Sequence, residues 1–119
     1  MSMQPAGIII WSENFESLLK FYEDLFEIKC HKKKVSSAYF LWGDFKFFIG
    51  NHSEIKGKSK DSNRIMINIK VDNIEKVVGK LIAKNIVFER MPETESWGGK
   101  VATFNDPENN RINLIQISS

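Results

Sequence analysis

The sequence predicts an α+β domain built from two βαβββ modules. Three observations carry that prediction. The two halves of the chain repeat one pattern of apolar spacing; Asn14 and Asn73 stand at matched places just ahead of the only two long stretches with helical spacing; and each stretch is followed by three short strand-like runs separated by turn residues.

Gly7-Ile8-Ile9-Ile10-Trp11 reads as the first strand, and Ser12-Glu13-Asn14 leads into Phe15, Leu18, Leu19, Tyr22 and Phe26 at helical intervals. Asn14 is expected to cap that helix by accepting from an orphan N–H, with Glu16 in the favourable first turn. Residues Ile28 to Lys33, Ala38 to Trp42 and Phe45 to Ile49 follow as strands, with Gly43-Asp44 as a two-residue hairpin turn. The segment from His52 to Asn63 is rich in Lys, Ser, Gly and Asp without apolar periodicity. It is expected to be a linker, about residues 51–63, between module 1 (about 5–50) and module 2 (about 64–117).

In the second half, Ile65, Ile67, Ile69 and Val71 alternate with Met66, Asn68 and Lys70, as in a half-buried strand. Asn73 caps Ile74, Val77, Val78, Leu81 and Ile82, with Glu75 in the place of Glu16. Strands are expected over Ile86 to Arg90, Lys100 to Asn105 and Arg111 to Ile117, the last two joined by the turn Asn105 to Asn110.

Composition narrows the function. A chain of 119 residues is one domain's worth, and 17 basic against 15 acidic side chains leave a net charge of +2. That balance fits neither a disordered chain nor a nucleic-acid footprint. The lysines at 32–34 and in the linker read as solvated charge. The longest apolar run, Ile8 to Trp11, is far too short for a membrane span, and Met1-Ser2-Met3-Gln4-Pro5 lacks a leader's charged and apolar regions. The expectation is a soluble cytoplasmic protein with no membrane or nucleic-acid partner. One cysteine, Cys30, and two histidines, His31 and His52, are too few for a Cys/His zinc cage, and no cofactor is expected. Nine Phe, three Trp and two Tyr exceed what a small core needs.

The paired modules, Phe21-Tyr22 late in the first helix and Asp106-Pro107 before the last strand resemble the vicinal oxygen chelate superfamily. That superfamily holds glyoxalases, extradiol dioxygenases and the bleomycin- and fosfomycin-resistance proteins. Asn14 to Tyr22 is similar to its helix start and Trp97 to Pro107 to its closing segment, and the likeness runs from about Gly7 to Gln116. Asn109-Asn110 stands where members commonly carry glycine in the last turn, and asparagine also tolerates positive φ. The resemblance implies a curved mixed sheet around a concave cleft, helices on the outer face, and a homodimer.

It also implies one metal ligand, usually His or Glu, on the first and last strand of each module, facing the cleft. Those positions fall on Gly7, Phe47, Met66 and Asn113, none a normal ligand for the divalent ions of these enzymes. A register error of one residue substitutes Ile8, Lys46 or Phe48, Ile65 or Ile67, and Ile112 or Leu114, which serve no better. The metal centre is therefore expected to be absent.

With those four positions inward, strand parity lines the cleft with Ile9, Trp11, Phe45, Phe47 and Ile49 from module 1, and with Met66, Asn68, Lys70, Arg111, Asn113 and Ile115 from module 2. One side is aromatic and the other polar and cationic. The candidate ligand-binding set is Trp11, Phe45, Phe47, Met66, Asn68, Trp97, Arg111 and Asn113, suited to a flat apolar body with a polar or anionic end. The bland alternative is that these aromatics fill the cavity or a dimer interface. Trp97 ahead of Gly98-Gly99 either packs beneath its loop or forms a lid.

No catalytic residue is assigned. Cys30 and His31 are adjacent on an expected strand, so they point to opposite faces. Glu89, Glu93 and Glu95 lie in a stretch able to close over a cleft, where one with a raised pKa would serve as general base. The resulting expectation is metal-independent binding of a small aromatic or amphipathic molecule, similar to the bleomycin-resistance branch, for which the resemblance implies sequestration rather than turnover. Two rivals stay open: a lyase, isomerase or dioxygenase with ligands recruited from His31, His52 and Glu89, and a regulatory or assembly module whose cleft its own side chains fill.

Overall fold

The computed structural model describes residues 3–117, so Met1 and Ser2 of the stretch read for a leader lie outside the described residues. The chain divides into two units, one ending at Lys58 and the other beginning at Ser59. Each is a βαβββ module with a mixed four-stranded sheet, as the α+β expectation had it. No helix of the described residues is long and apolar enough to cross a membrane.

The first unit runs β1 (Gly7–Trp11), α1 (Phe15–Phe26), β2 (Lys32–Lys33), β3 (Ser37–Trp42) and β4 (Phe45–Gly50). Its strand order is β1-β4-β3-β2, with β1 parallel to β4 and the other pairs antiparallel. The apolar stripe of α1, Phe15, Leu18, Leu19 and Tyr22, is buried, as are Ile10, Ala38, Phe40, Phe47 and Ile49 of the sheet. Tyr22, Phe26, Phe40, Trp42 and Phe47 interlock at centroid separations of 4.9–6.3 Å, so much of the aromatic excess is core. The strand expected over Ile28 to Lys33 is reduced to its last two residues.

Asn14 occupies the N-cap position of α1 but makes no side-chain cap bond. Ser12, fully buried, takes over instead: its Oγ accepts the Asn14 N–H at 2.8 Å while its own N–H donates to the Gly50 carbonyl at 2.9 Å. The helix start is thereby tied to the end of β4.

The second unit runs β5 (Met66–Lys70), α2 (Ile74–Ala83), β6 (Phe88–Thr94), β7 (Lys100–Asn105) and β8 (Arg111–Gln116), in the order β5-β8-β7-β6. Ile74, Val78 and Leu81 of α2 are buried with Ala102, Phe104, Ile112 and Leu114 of the sheet. Here the expected cap forms: Asn73 Oδ1 accepts the Lys76 N–H at 3.1 Å, and Gln116 Oε1 accepts the Ile74 N–H at 2.8 Å. The last turn is organised by buried Asp106, whose Oδ1 accepts the N–H groups of Glu108 and Asn110, both at 2.9 Å. Asn109 adopts φ 66° within it, the left-handed conformation expected of that turn. β6 extends to Thr94 rather than ending near Arg90, through Pro92 and two register shifts against β7. Its edge position tolerates the missing proline donor.

Candidate functional site

Strand register decides which side chains share a face. In the second unit, Met66 pairs with Arg111, Asn68 with Asn113 and Lys70 with Ile115 along parallel β5 and β8, and Thr103 of β7 pairs with Asn113. Ile67, Ile69, Ile112 and Leu114 take the alternate face with α2. The face turned away from α2 therefore brings together Met66, Asn68, Arg111 and Asn113, as their alternation predicts.

These side chains form a connected polar network. Thr103 Oγ1 donates to Asn113 Oδ1 at 2.7 Å, and Asn113 Nδ2 donates to Asn68 Oδ1 at 3.0 Å and to Met66 Sδ at 3.3 Å. Arg111 donates from Nε to Asn105 Oδ1 at 3.1 Å and from Nη1 to Asn63 Oδ1 at 2.7 Å. Both acceptors are neutral amides, and no carboxylate pairs with Arg111 among the described residues. Thr103 and Asn105 belong to this network and were not foreseen as site residues. Their pairing with Asn113 and Arg111 is the signal that would have found them.

At the β6–β7 turn, Glu95 N–H donates to the Gly99 carbonyl at 2.8 Å and Gly98 N–H to the Glu95 carbonyl at 2.9 Å. The Trp97 ring lies over the Gly99 α-carbon so closely that a Cβ there would collide with it. The indole stays 56% exposed, so it is seated on its own turn rather than buried beneath it.

In the first unit, Gly7, Ile9 and Trp11 share the face away from α1 with Lys46 and Phe48, their partners or neighbours in the β1–β4 register. Trp11 meets Phe48 edge-to-face at 5.7 Å and the His52 ring at 5.1 Å, and Lys46 Nζ sits 4.4 Å over the Tyr39 ring. Phe47 was expected on this face, and the structure places it on the other. It is 4% exposed and packed against Tyr22 and Phe26 of α1. Phe45 and Ile49 share its parity, so the face away from α1 takes from β4 Lys46 and Phe48 in their place.

A glyoxalase-like domain model matches residues 6–118. The chain belongs to the glyoxalase-like family, within the vicinal oxygen chelate superfamily. It is 25% identical over 127 residues to the Bacillus subtilis (strain 168) protein YraH, covering 97% of this chain and 99% of that one. Among solved structures, lactoylglutathione lyase from Agrobacterium tumefaciens superposes with a TM-score of 0.75 at 14% identity, over 97% of this chain and 94% of that chain. The bleomycin resistance determinant encoded on transposon Tn5 superposes with a TM-score of 0.73 at 20% identity, over 98% and 100% of the two chains. These two likenesses establish the fold.

For a glyoxalase-like chain, the donors at the superfamily's metal-ligand positions do not fit a divalent ion. At Gly7 a Cβ would overlap the Lys46 carbonyl oxygen, so no liganding side chain can stand there without moving the backbone. The β4 position, read in the observed register, is Lys46 or Phe48, a cation or a hydrocarbon ring. Met66 and Asn113 are already joined to each other and to Asn68 and Thr103, and thioether and amide are weak partners for hard or borderline cations. Among the described residues no cluster of three His, Cys, Asp or Glu is placed to hold a metal. His31, His52 and Glu89, the recruited set weighed above, form no such group; His31 lies beside Tyr39 and His52 beside Trp11.

Two of the three acid–base candidates are similarly engaged. Glu93 and Glu95 both pair with Arg90, at 2.9 and 2.8 Å, and the stretch expected as a mobile cover is strand and tight turn. Hydrogen bonds to Glu95 and Glu93 hold the Arg90 guanidinium still more firmly protonated. Burial pushes the Cys30 thiol up, and the Glu23 carboxylate beside it adds to the effect, the reverse of what an activated nucleophile needs.

Proposed function

We propose that this glyoxalase-like protein binds a small amphipathic molecule without a divalent metal and sequesters it rather than converting it. The observation that carries the reading is the Thr103–Asn113–Asn68–Met66 network of neutral, mutually bonded groups, which takes in Met66 and Asn113, the two positions the resemblance implies for metal ligands in the second module. Such a face recognises a ligand's polar end by hydrogen bonds, with Arg111 beside it to favour negative charge. Trp97, exposed on the same unit, offers a ring on which an apolar body stacks. Phe45 and Phe47 are left out of this set because they face α1. The same reading takes the protein as a cytoplasmic homodimer, an assembly that light scattering measures directly.

Tryptophan fluorescence of chelator-treated protein, titrated with naphthalene-2-carboxylate, tests the proposal. Saturable quenching that Arg111→Ala weakens supports it. Quenching that returns only on adding zinc, nickel or manganese points to a metal-dependent member of the superfamily instead.

A further inference from the structure

We infer that Asn68 acts as a hydrogen-bond donor to the ligand, so that the ligand's polar end is an acceptor: a carbonyl or carboxylate oxygen rather than an amine. The inference rests on the reading of this face as the binding face. It follows from the direction in which the network runs. A thioether sulfur has no hydrogen to give. The edge of the Asn113 amide that lies 3.3 Å from Met66 Sδ is therefore its N–H edge. That fixes the other edge as oxygen, which takes the Thr103 hydroxyl hydrogen at 2.7 Å. Asn113 Nδ2 in turn gives its hydrogen to Asn68 Oδ1 at 3.0 Å. Asn68 Oδ1 is then engaged inside the network, with one lone pair left, whereas its Nδ2 keeps two hydrogens with no protein partner among the described residues. Asn68 is exposed, so a ligand can reach them.

Arg111 strengthens the preference. It stands opposite Met66, one rung of the same face and about 7 Å along the strand from the Asn68 pair. Amide oxygens alone hold its Nε and Nη1, so its positive charge is positioned but not neutralised. Asn68 and Arg111 thus face the ligand with donors, while the Met66 sulfur and the Asn113 amide are engaged within the network. An ammonium group meets at most an amide oxygen that already accepts one hydrogen bond, with a cation nearby; a carbonyl meets the free hydrogens of Asn68, and a carboxylate meets both Asn68 and Arg111.

Three probes sharing one ring test this: 2-acetylnaphthalene, naphthalene-2-carboxylate and 2-(aminomethyl)naphthalene. The ketone and the carboxylate should bind at least about tenfold more tightly than the amine, the effect of one hydrogen bond won or lost. Asn68→Asp, at an exposed position the fold tolerates, should reverse the ranking of ketone and amine, while Arg111→Ala should weaken the carboxylate and spare the ketone. An amine that binds as tightly as the ketone, or a ranking that Asn68→Asp leaves unchanged, overturns the inference while leaving the binding face in place. Absence of binding by all three overturns the binding reading itself. The direction of the network is checked without ligand by side-chain amide NMR: the Asn113 amide hydrogens should exchange slowly and those of Asn68 quickly, and the opposite order overturns the assignment.

Discussion

The Phe47 ring lies 5.0 Å, centroid to centroid, from the ring of Tyr22, and this contact sets which face of β4 is core. Phe48, the next residue, meets Trp11 on the opposite face of the sheet. Two adjacent phenylalanines thus carry different burdens. Phe47→Ala should destabilise the protein by about 3–5 kcal/mol through the cavity it leaves, whereas Phe48→Ala should cost under about 2 kcal/mol. Denaturant unfolding of the two variants separates them; equal losses would mean that the assigned faces are wrong.

The α1 and α2 caps should respond differently to the same substitution. Asn73→Ala removes the bond to the Lys76 N–H and should cost about 1 kcal/mol. Asn14→Ala removes no side-chain cap bond, and the N–H that donates to Ser12 survives, so its cost should stay under about 0.5 kcal/mol. Ser12→Ala leaves that part-buried N–H without its acceptor and should cost about 1 kcal/mol.

These contrasts show what the sequence made legible. Asn14 and Asn73 both locate helix starts, because spacing marks the boundary; whether the side chain or a neighbouring serine satisfies the backbone depends on a bond to β4 that spacing does not contain. In β5 the strict alternation of Met66, Asn68 and Lys70 with Ile67 and Ile69 assigns faces without ambiguity, and four of the candidate ligand residues, Met66, Asn68, Arg111 and Asn113, come together as expected. In β4 the run Phe45-Lys46-Phe47-Phe48-Ile49 is apolar on both faces, so a slip of one residue has no signature. Lys46, pairing with Gly7 rather than with Ile8, is the residue that resolves it. The longer β6 was hidden by Pro92, ordinarily a strand breaker but accommodated on an edge.

Glu75 gives a pH-dependent prediction. Its hydrogen bond from Lys100 Nζ, at 2.6 Å, holds its carboxyl below the ordinary value of 4.5. A folded-state value below the unfolded one means that the stabilisation is present above the unfolded value and is lost as pH falls through the folded one. The Tm difference between wild type and Glu75→Gln should therefore hold steady near about pH 6 and shrink on acidification through that window. Added salt should shrink it too, because the pair is exposed. A difference that grows as the pH falls contradicts the assigned role of the pair.

The central claim is recognition by neutral amides in place of a metal. Its most direct test is calorimetric titration of naphthalene-2-carboxylate into metal-depleted protein, repeated with one equivalent of zinc, nickel or manganese and repeated again with Asn113→Leu. The account predicts the same Kd and stoichiometry with and without metal, and about tenfold or greater weakening in the variant, since losing Asn113 frees Asn68 from its fixed orientation. Binding that appears only with metal, or that survives Asn113→Leu undiminished, would contradict it.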